Sequence, residues 1–477
     1  MVEHDAVIVG AGPNGLTAAV ELARHGLRVH VIEGADTIGG GARTKELTLP
    51  GFRHDVCSAI HPLGRLSPSF RRYPLTDHGL EWISPEAAAA HPFDDGSAVM
   101  LLPSVAETAA GLGEDGVAYR RVMEPGVSRL DRINEQFLGP MLRWPGDPRP
   151  LARFAAMSLL PATWFVRRFE TTEARGLLGG LAAHTTVDLA GPGTTGVALA
   201  LGLAGHADNW PVARGGSQAI VDALAGYLLS LGGSIETGHW VASLSDLPSA
   251  AATLLDVTPR ALLALAGRPI GGLYGWRARR WRRGPGVFKI DLALSESIPW
   301  KCSRVASAAT VHLGGTFEEI AASERAMWRG DHSDRPYVLL AQQSLFDETR
   351  APGGSHTAWA YCHVPNGSTL DRVEAIESQI ERFAPGFRDT ILARHTMGPA
   401  DFEAYNPNNE GGEIIGGAWT LDQVIARPMP GPDPYKTPLD GVYLCSASTA
   451  PGAGVHGMSG YHAARSALRR SFGMDPT

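Results

Sequence analysis

The chain has 477 residues, enough for about three average domains and for a large buried core. Hydrophobic residues make up 44% of the sequence and charged residues 19%, a composition that favours large buried surfaces over disorder. The net charge of −7 argues against a nucleic-acid partner, because such a partner requires clustered basic residues.

The cysteines and the apolar runs indicate the compartment. Cys57, Cys302, Cys362 and Cys445 lie far apart, without the spacing of a zinc site or a disulfide framework. The first residues lead directly into a strand with no basic leader segment. The apolar run 197–204 is far shorter than the roughly 20 residues of a membrane span. We therefore expect a cytoplasmic protein.

The first predicted elements are a strand, a helix and a second strand. Residues 5–9 form a mostly apolar run that ends at a glycine, as a buried parallel strand does. Residues 14–25 have helical composition, Gly26 ends that helix, and residues 28–32 return to a strand. This order predicts a βαβ unit at the start of the chain.

Two later segments continue the same pattern. Ser217 is placed to cap a helix whose apolar residues repeat with a period of about 3.6, and two glycines end it. The strands predicted after this helix cover 234–237, 240–244 and 253–257. Near the C-terminus, a strand over 441–445 and a glycine-rich turn lead into a helix over 458–470.

The regions between these segments lack the βαβ pattern and are rich in proline and aromatic residues. We therefore predict an α/β fold with a Rossmann-like nucleotide-binding domain built from discontinuous segments and a mixed α+β substrate domain. The nucleotide-binding domain is predicted to comprise 1–75, 210–260 and 430–477. The substrate or cap domain is predicted to comprise 76–209 and 261–429.

One glycine motif has the context of a dinucleotide site. The pattern Gly-x-Gly-x-x-Gly occurs four times, but only Gly10, Gly12 and Gly15 lie between a predicted strand and a predicted helix and precede a second strand. Glu33 follows that second strand, where a carboxylate accepts hydrogen bonds from the ribose hydroxyls. The match at Gly452 lies too near the C-terminus to begin another such unit, so no separate nicotinamide domain is predicted.

Several segments resemble the phytoene desaturase and carotenoid isomerase flavoproteins, and above all the phytoene dehydrogenase-related branch, also called pyridine nucleotide-disulphide oxidoreductase domain proteins. They are GAGPNGLTAAVELARHGLRVHVIEGADTIGGGART, PGFRHDVCSAIHPL, WPVARGGSQAIVDALA, GPGVFKIDLALSESIPW, GGEIIGGAWTLDQVIARPMPG and GVYLCSASTAPGAGVHGMSGYHAAR. The resemblance spans nearly the whole chain. It implies non-covalently bound FAD and oxidation of a hydrophobic or extended small molecule.

The resemblance also implies which residues hold FAD. The N-terminal turn would hold the pyrophosphate, Glu33 the ribose, Val241 the adenine through its backbone, and the C-terminal turn the ribityl chain and ring. Related amine oxidases have arginine earlier in the loop that holds Arg43 here, so either Arg43 or bare backbone N–H groups face the cofactor. The implied set is Gly10, Gly12, Pro13, Asn14, Gly15, Glu33, Gly34, Gly40, Gly41, Ala42, Arg43, Val241, Ser446, Gly454, Val455, His456 and Met458.

Desaturation of a C–C bond requires loss of a hydride from one carbon and of a proton from its neighbour, so a base beside the flavin would assist. His54, Asp55 and His61 follow the first glycine-rich region, and His456 and Tyr461 flank the C-terminal turn. The alternative for each of the five is a hydrogen-bonded structural residue. No spacing typical of a metal site or of a hydrolase nucleophile is present.

The segment Trp276–Arg283 contains five arginines and two tryptophans. It either contacts a membrane surface peripherally or forms a solvated helix face with the tryptophans packed inward. The sequence predicts desaturation or a related C–H oxidation, with a redox-neutral isomerase or saturase as the alternative enzyme. A flavin-binding scaffold is the alternative outside enzymes. The electron acceptor stays open.

Overall fold

The computed structural model describes residues 4–142 and 148–476, with the side chains of 148–151 left aside. Within these ranges the strands are β1 (Ala6–Val9), β2 (Val29–Ile32), β3 (Thr44–Glu46), β4 (Arg53–Asp55), β5 (Trp82–Ile83), β6 (Ala87–Pro92), β7 (Ala98–Leu101), β8 (Val212–Ala213), β9 (Ser234–Glu236), β10 (Ala252–Leu255), β11 (Gly286–Leu294), β12 (Ala308–Leu313), β13 (Val338–Ala341), β14 (His356–Val364), β15 (Ile391–Met397) and β16 (Val442–Leu444).

The α-helices in the same ranges are α1 (Pro13–Ala23), α2 (Val105–Ala110), α3 (Gly116–Val127), α4 (Leu130–Phe137), α5 (Pro148–Ser158), α6 (Ala162–Phe165), α7 (Thr172–Ala183), α8 (Thr194–Asp208), α9 (Gln218–Ser230), α10 (Pro259–Leu265), α11 (Gly272–Arg279), α12 (Phe317–Trp328), α13 (Val373–Phe383), α14 (Pro399–Tyr405), α15 (Leu421–Ile425) and α16 (Met458–Ser471). None of these helices is both long and apolar enough to cross a membrane.

A parallel five-stranded sheet has the order β16-β10-β1-β2-β9. Its strands come from three separate parts of the sequence, because β9 and β10 lie in mid-chain and β16 lies near the end. Strand β1 is buried along its whole length, which explains its uninterrupted apolar sequence. The predicted α/β class is confirmed, while the exact domain boundaries stay a prediction.

A mixed seven-stranded sheet has the order β15-β11-β14-β13-β12-β6-β7, and its β12–β6 pair is parallel. Helices α7 and α8 pack against it in one large apolar core. The ribbon β3–β4 runs antiparallel and contacts β14, so it connects the end of the first glycine-rich region with the second sheet.

Two local predictions were wrong. Residues 240–244 do not form a strand, so Val241 lies in coil, where it belongs to one buried apolar cluster with Val9 and Ile32. Ser217 precedes α9, but its side chain does not cap the helix. Its hydroxyl instead donates to the carbonyl of Ser58 at 2.6 Å, a contact 159 residues away in sequence. A local pattern cannot reveal a competing partner at that separation.

Candidate functional site

The turn between β1 and α1 is built for close backbone approach. Gly10 has a φ of +100°, which favours glycine, and a Cβ on Gly15 would lie 2.0 Å from the carbonyl oxygen of Gly10. Helix α1 begins at Pro13, where the missing N–H costs nothing. The first turn of a helix leaves N–H groups without intrahelical acceptors, so this positive end of α1 favours an anion.

Glu33 follows β2 and lies beside this turn. One carboxylate oxygen accepts a hydrogen bond from the N–H of Ala11 at 2.7 Å, and the other accepts from Ala35 at 3.0 Å. These contacts fix the carboxylate next to the middle of the glycine turn, as the sequence spacing predicted. Its position suits a group that recognises ribose hydroxyls.

The glycine run Gly39–Gly41 packs directly on the first turn. A Cβ on Gly40, whose φ is +52°, would lie 3.1 Å from the Cα of Gly12. The hydroxyl of Tyr405 donates to the carbonyl of Gly40 at 2.7 Å and holds this segment from the other side. Ala42 is fully buried beneath it.

Arg43 is only 4% exposed, and its N–H groups donate mainly to backbone carbonyls of its own loop. Nη2 donates to the carbonyl of Thr37 at 2.6 Å and approaches Glu33 at 3.4 Å, while Nε donates to Ile38 at 3.2 Å. The guanidinium lies over the Tyr405 ring, 5.3 Å from its centroid. This arrangement favours backbone N–H groups over Arg43 as the groups that face a cofactor.

Asp256 directly follows β10 and was not identified from the sequence. Its Oδ2 accepts a hydrogen bond from the N–H of Gly15 at 3.1 Å and would lie 3.0 Å from a Cβ on Gly12. Burial raises the pKa of this carboxyl to about 7, and the neighbouring Glu33 carboxylate also raises it. The sequence signal that could have identified Asp256 is an acidic residue directly after an apolar strand that ends beside β1.

The C-terminal turn lies against the N-terminal one because α16 packs on α1. A Cβ on Gly460 would lie 1.8 Å from the carbonyl of Asn14, and a Cβ on Gly457 would lie 2.2 Å from Oγ1 of Thr17. Only glycine permits this approach. The hydroxyl of Ser446 donates to Val257 at 2.7 Å and so joins the start of this segment to the end of β10.

Within the described residues, two buried polar atoms beside these turns have no hydrogen-bond partner: Oδ1 of Asn14 and Oγ of Ser448. Asn14 is 7% exposed and Ser448 is 1% exposed. A buried polar atom without a partner is costly, so such atoms mark a place that a ligand completes. Both lie where the sequence predicted the cofactor, although Ser448 itself was not predicted.

A buried arginine in the loop before β16 holds the C-terminal segment. Arg427 is 1% exposed and donates to the carbonyls of Ala447 at 2.9 Å and Ile415 at 2.6 Å. Its guanidinium also lies 5.6 Å from the Trp281 ring centroid. Burial lowers the pKa of Arg427 to about 10, and the nearby Glu413 carboxylate opposes that shift. Arg427 therefore acts as a buried anchor for the turn.

Gly34 and Val241 both belong to the predicted FAD-binding set and lie near Trp240. A Cβ on Gly34 would lie 2.8 Å from Cε3 of Trp240, whose indole is 65% exposed. Val241 follows this tryptophan and is buried. The structure therefore brings Gly34 and Val241 into one neighbourhood through Trp240, as an adenine pocket at this edge requires.

Asp55 belongs to a fully buried ion network. Its carboxylate accepts hydrogen bonds from Thr44 at 2.7 Å, the N–H of Ser217 at 2.8 Å, Gln343 at 3.3 Å and Arg350 at 3.0 Å. Burial raises the pKa of Asp55, but Arg350 and these donors outweigh it, so the pKa lies below its usual range. With both oxygens engaged, Asp55 has the environment of a structural anion.

His54 faces a second buried group of charges on β11. Lys289 is 1% exposed and pairs with the fully buried Asp291, whose Oδ1 lies 3.7 Å from Nδ1 of His54. Nε2 of His54 lies 2.8 Å from the Thr48 hydroxyl. Burial lowers the pKa of His54 to about 4, against the pull of Asp291. The alternation of Lys289 and Asp291 in an otherwise apolar strand was a signal that sequence reasoning missed.

His61, like His54, has a buried ring nitrogen without a hydrogen-bond partner among the described residues. Its Nε2 lies 2.9 Å from the Ser217 hydroxyl, and that hydroxyl donates its own proton to Ser58. His61 must therefore donate from Nε2, which leaves Nδ1 as an unprotonated acceptor. Within the described residues, Nδ1 is buried and has no partner. Burial lowers the pKa of His61 to about 4, which keeps the ring neutral.

His61 also lies near the C-terminal turn. A Cβ on Gly64 would lie 3.1 Å from the Cβ of His61 and 3.3 Å from the carbonyl oxygen of Val455. The side chain of His61 therefore begins close to the segment that was predicted to line the ribityl chain and ring.

His456 and Tyr461 have structural partners. Nδ1 of His456 accepts a hydrogen bond from the N–H of Met458 at 3.0 Å, at the start of α16, and burial lowers its pKa to about 4. The Tyr461 hydroxyl accepts from Arg465 at 3.0 Å, and its ring lies under Arg72. Nδ1 of His456 and the hydroxyl oxygen of Tyr461 are thus both engaged by protein groups.

The arginines of Trp276–Arg283 all engage protein groups. Arg277 donates to the carbonyls of Pro428 and Ala426 at 2.8 Å each. Trp281 is buried, whereas Trp276 is 48% exposed. These contacts favour a solvated helix face over a membrane contact. The other four arginines contact Ile270 (from Arg279), the Trp276 ring (from Arg280), Asp422 (from Arg282) and Glu410 (from Arg283).

No group of three or more His, Cys, Asp or Glu residues in the described part of the chain could hold a metal ion.

The parallel sheet, the glycine turn and the acid after β2 define a Rossmann-type nucleotide-binding protein. Residues 8–73 match the family model described as NAD(P)-binding Rossmann-like domain. In agreement with the predicted class, wild-type putrescine oxidase, solved with bound putrescine, has a TM-score of 0.61 to this chain, with 18% identity and 98% of both chains covered. That likeness shows the fold.

Three relatives align over nearly the whole chain. Pyridine nucleotide-disulfide oxidoreductase domain-containing protein 2 of Rattus norvegicus is 27% identical, with 98% of this chain and 94% of the relative covered. One of the limonene dehydrogenase subunits of Castellaniella defragrans is 23% identical, with coverage of 97% and 94%. Phytoene desaturase (neurosporene-forming) of Rhodobacter capsulatus is 22% identical, with coverage of 95% and 92%. The resemblance to this family of flavin oxidoreductases is confirmed.

Proposed function

We propose that this protein binds FAD non-covalently and uses it to oxidise a hydrophobic or extended small molecule. The observation that carries the proposal is the meeting of two glycine turns from opposite ends of the chain. Gly460 brings the C-terminal turn against Asn14 so closely that no side chain fits between them. Two turns that meet in this way can hold both halves of one extended dinucleotide.

The residues present fit FAD. The positive N-terminal end of α1 favours the pyrophosphate, although Asp256 already accepts from the N–H of Gly15, and Glu33 is positioned for ribose hydroxyls. The partnerless Oδ1 of Asn14 and Oγ of Ser448 supply polar contacts that a cofactor would satisfy. When bound, FAD supplies a flavin ring that accepts a hydride at N5.

Apolar and aromatic groups beside the glycine-rich segment support an apolar substrate. A Cβ on Gly41 would lie 3.9 Å from the Cys57 sulfur. Such surroundings exclude water and suit a hydrocarbon better than a charged metabolite. Cys57 belongs to one apolar cluster with Tyr361, Tyr405 and the buried Val56 and Val287.

His61 is the best-suited proton acceptor of the five predicted candidates. Asp55, His456 and Tyr461 have acidic or basic atoms engaged by protein groups, and Nδ1 of His54, which also lacks a hydrogen-bond partner among the described residues, lies 3.7 Å from the Asp291 carboxylate. Nδ1 of His61 is an unprotonated acceptor without a partner in the described chain. Loss of a hydride from carbon makes the neighbouring C–H strongly acidic. A base as weak as His61, with its pKa of about 4, then suffices to take the proton.

An absorption spectrum of the purified protein tests the cofactor first. Flavin bands that are released on denaturation, with the mass of FAD, are expected. An anaerobic titration with an apolar metabolite extract then tests the substrate class, because a desaturating substrate bleaches the oxidised flavin by itself. NAD(P)H in a parallel titration provides the comparison.

Each outcome points to one function. Bleaching by the extract supports dehydrogenation, whereas bleaching by NAD(P)H alone favours the isomerase or saturase alternative. A flavin that reacts with no reductant or oxidant favours the scaffold alternative. Absence of FAD, with none taken up on reconstitution, contradicts the whole proposal.

A further inference from the structure

A second cavity lies away from the glycine turns, among α3, α4, α5 and α8. Its volume is about 560 Å³, which is within the range of small-molecule sites. Its floor is an apolar surface that a hydrocarbon chain can cover. The buried side chains that form this floor are Met123, Ile133, Phe154, Leu199 and Leu203.

Arginines surround the mouth of the same cavity. Arg129, Arg132 and Arg153 line it, and all three are exposed to solvent. Arg129 donates from Nη1 to the carbonyl of Pro125 at 3.1 Å, and Arg153 donates from Nη2 to the carbonyl of Arg121 at 3.2 Å. These contacts orient the guanidinium groups of Arg129 and Arg153 and leave further N–H groups available to an anion.

No carboxylate lines this cavity among the described residues. The contrast with a neighbouring arginine is direct, because Arg120, which also lies on α3, pairs with Glu124 at 2.6 Å. The side chains of Arg129 and Arg153 therefore bring positive charge to the mouth of an apolar cavity. This surface is complementary to an anion with an apolar chain.

We propose that the cavity among α3, α4, α5 and α8 binds a single long-chain carboxylate, with its chain on the apolar floor and its carboxylate at Arg129 and Arg153. Guanidinium groups bind carboxylates through paired N–H donors, which explains the preference for arginine at the mouth. The proposal is independent of the flavin function, since none of the cavity residues belongs to the glycine turns.

Equilibrium dialysis of the full-length protein with radiolabelled laurate, below its micelle concentration, tests the site. We expect one saturable site per chain. Laurate should resist displacement by dodecylamine, which has the same chain and the opposite charge. The double variant Arg129→Gln/Arg153→Gln should bind at least roughly tenfold more weakly, because it loses the charged hydrogen bonds.

Two further variants separate this effect from misfolding. Arg120→Gln is the matched control and should bind laurate as the unaltered protein does, because Arg120 lies outside the cavity lining. Met157→Trp should reduce binding by filling the cavity, while thermal unfolding and flavin content confirm that the variant is folded.

Three results would overturn the proposal. They are the absence of saturable laurate binding, equal displacement by dodecylamine, and equal affinity in the double variant. Flotation of the protein with fatty-acid-free phosphatidylglycerol vesicles, lost in the double variant, would also overturn it, because the arginines would then face a membrane surface. Loss of the flavin spectrum would contradict only the proposed function.

Discussion

Arg43 and Thr44 are neighbours in sequence but belong to two differently constructed regions. Arg43 supports the glycine-turn region, where the Ala11–Glu33 hydrogen bond joins residues only 22 apart. Thr44 belongs to the Asp55 network, whose contacts to Ser217, Gln343 and Arg350 span 162, 288 and 295 residues. The glycine turn and its acid are therefore encoded in one segment of sequence, although Asp256 and Tyr405 contact that segment from 241 and 365 residues away. The Asp55 network exists only after distant segments have met.

Removal of the cation from the Asp55 network should have the largest effect. Arg350→Met leaves Asp55 and Asp347 buried without a compensating charge, so the free energy of unfolding should fall by about 3–5 kcal/mol. Urea unfolding at pH 7 measures this loss. The double variant Asp55→Asn/Arg350→Met should recover part of it, and no recovery would contradict the assigned pairing.

The Asp55 network should also make the stability of the folded protein depend on pH. The pKa of Asp55 is lowered in the folded protein, so its ion pair contributes stability above the ordinary carboxyl pKa of about 4. That contribution is lost as pH falls through the lower folded value. Without Arg350, burial raises the pKa of Asp55, so the variant takes up this proton first and the difference in stability should narrow as pH falls from 7. A constant difference would contradict the assignment.

Substitution of His61 should have the next largest effect, and it should change the turnover rate rather than the stability. His61→Gln removes the proposed proton acceptor, and turnover with a flavin-bleaching substrate should fall about a hundredfold. His239→Gln, at an exposed histidine paired with Glu236, is the control and should leave turnover unchanged. Equal turnover in both variants, with FAD content preserved, would show that His61 is structural.

Disruption of the contact between the two turns should have a smaller effect than the loss of His61. Gly460→Ala places a Cβ 1.8 Å from the Asn14 carbonyl, and the resulting strain should lower stability by about 1–3 kcal/mol and weaken FAD retention. The control is Gly271→Ala, where no atom lies within 4 Å of the added Cβ. Thermal unfolding and flavin release should distinguish the two variants.

The sequence predicted more of the first region than of the second. Gly10, Gly12, Gly15 and Glu33 were found because a turn and its acid have a fixed spacing. Asp55 was predicted as a catalytic candidate, with a structural role only as the alternative, because its partner Arg350 lies 295 residues away in sequence. Sequence patterns report contacts within one supersecondary unit, and they do not report which distant strand or loop brings a counter-charge.

Asp256 lies beside the glycine turn but contacts it from 241 residues away in sequence. Its substitution should have a smaller effect. Its raised pKa of about 7 means that it loses its proton as pH rises through 7, which adds negative charge beside the proposed phosphate site. FAD affinity of the unaltered protein should therefore weaken between pH 6 and pH 8. Asp256→Asn should remove this dependence and bind FAD roughly tenfold more tightly at pH 8. Parallel pH profiles would contradict the assignment.

The smallest effect is expected at the exposed tryptophan of Trp276–Arg283. Trp276→Ser should change stability by less than about 0.5 kcal/mol, because Trp276 is 48% exposed and its contact with the exposed Arg280 lies at the surface. Flotation with anionic vesicles at low salt should show no binding by either protein. Binding that Trp276→Ser abolishes would restore the membrane-contact alternative.

The docking of α16 on α1 has a consequence for synthesis of the protein. The glycine turn leaves the ribosome long before β16 and α16, because both long intervening regions are translated between them. The nucleotide-binding sheet can therefore be completed only after those regions have been made. Until then, the apolar faces of α1 and β10 that α16 covers are exposed, and they can bind chaperones or aggregate. A premature stop before Met458 would leave these faces exposed permanently.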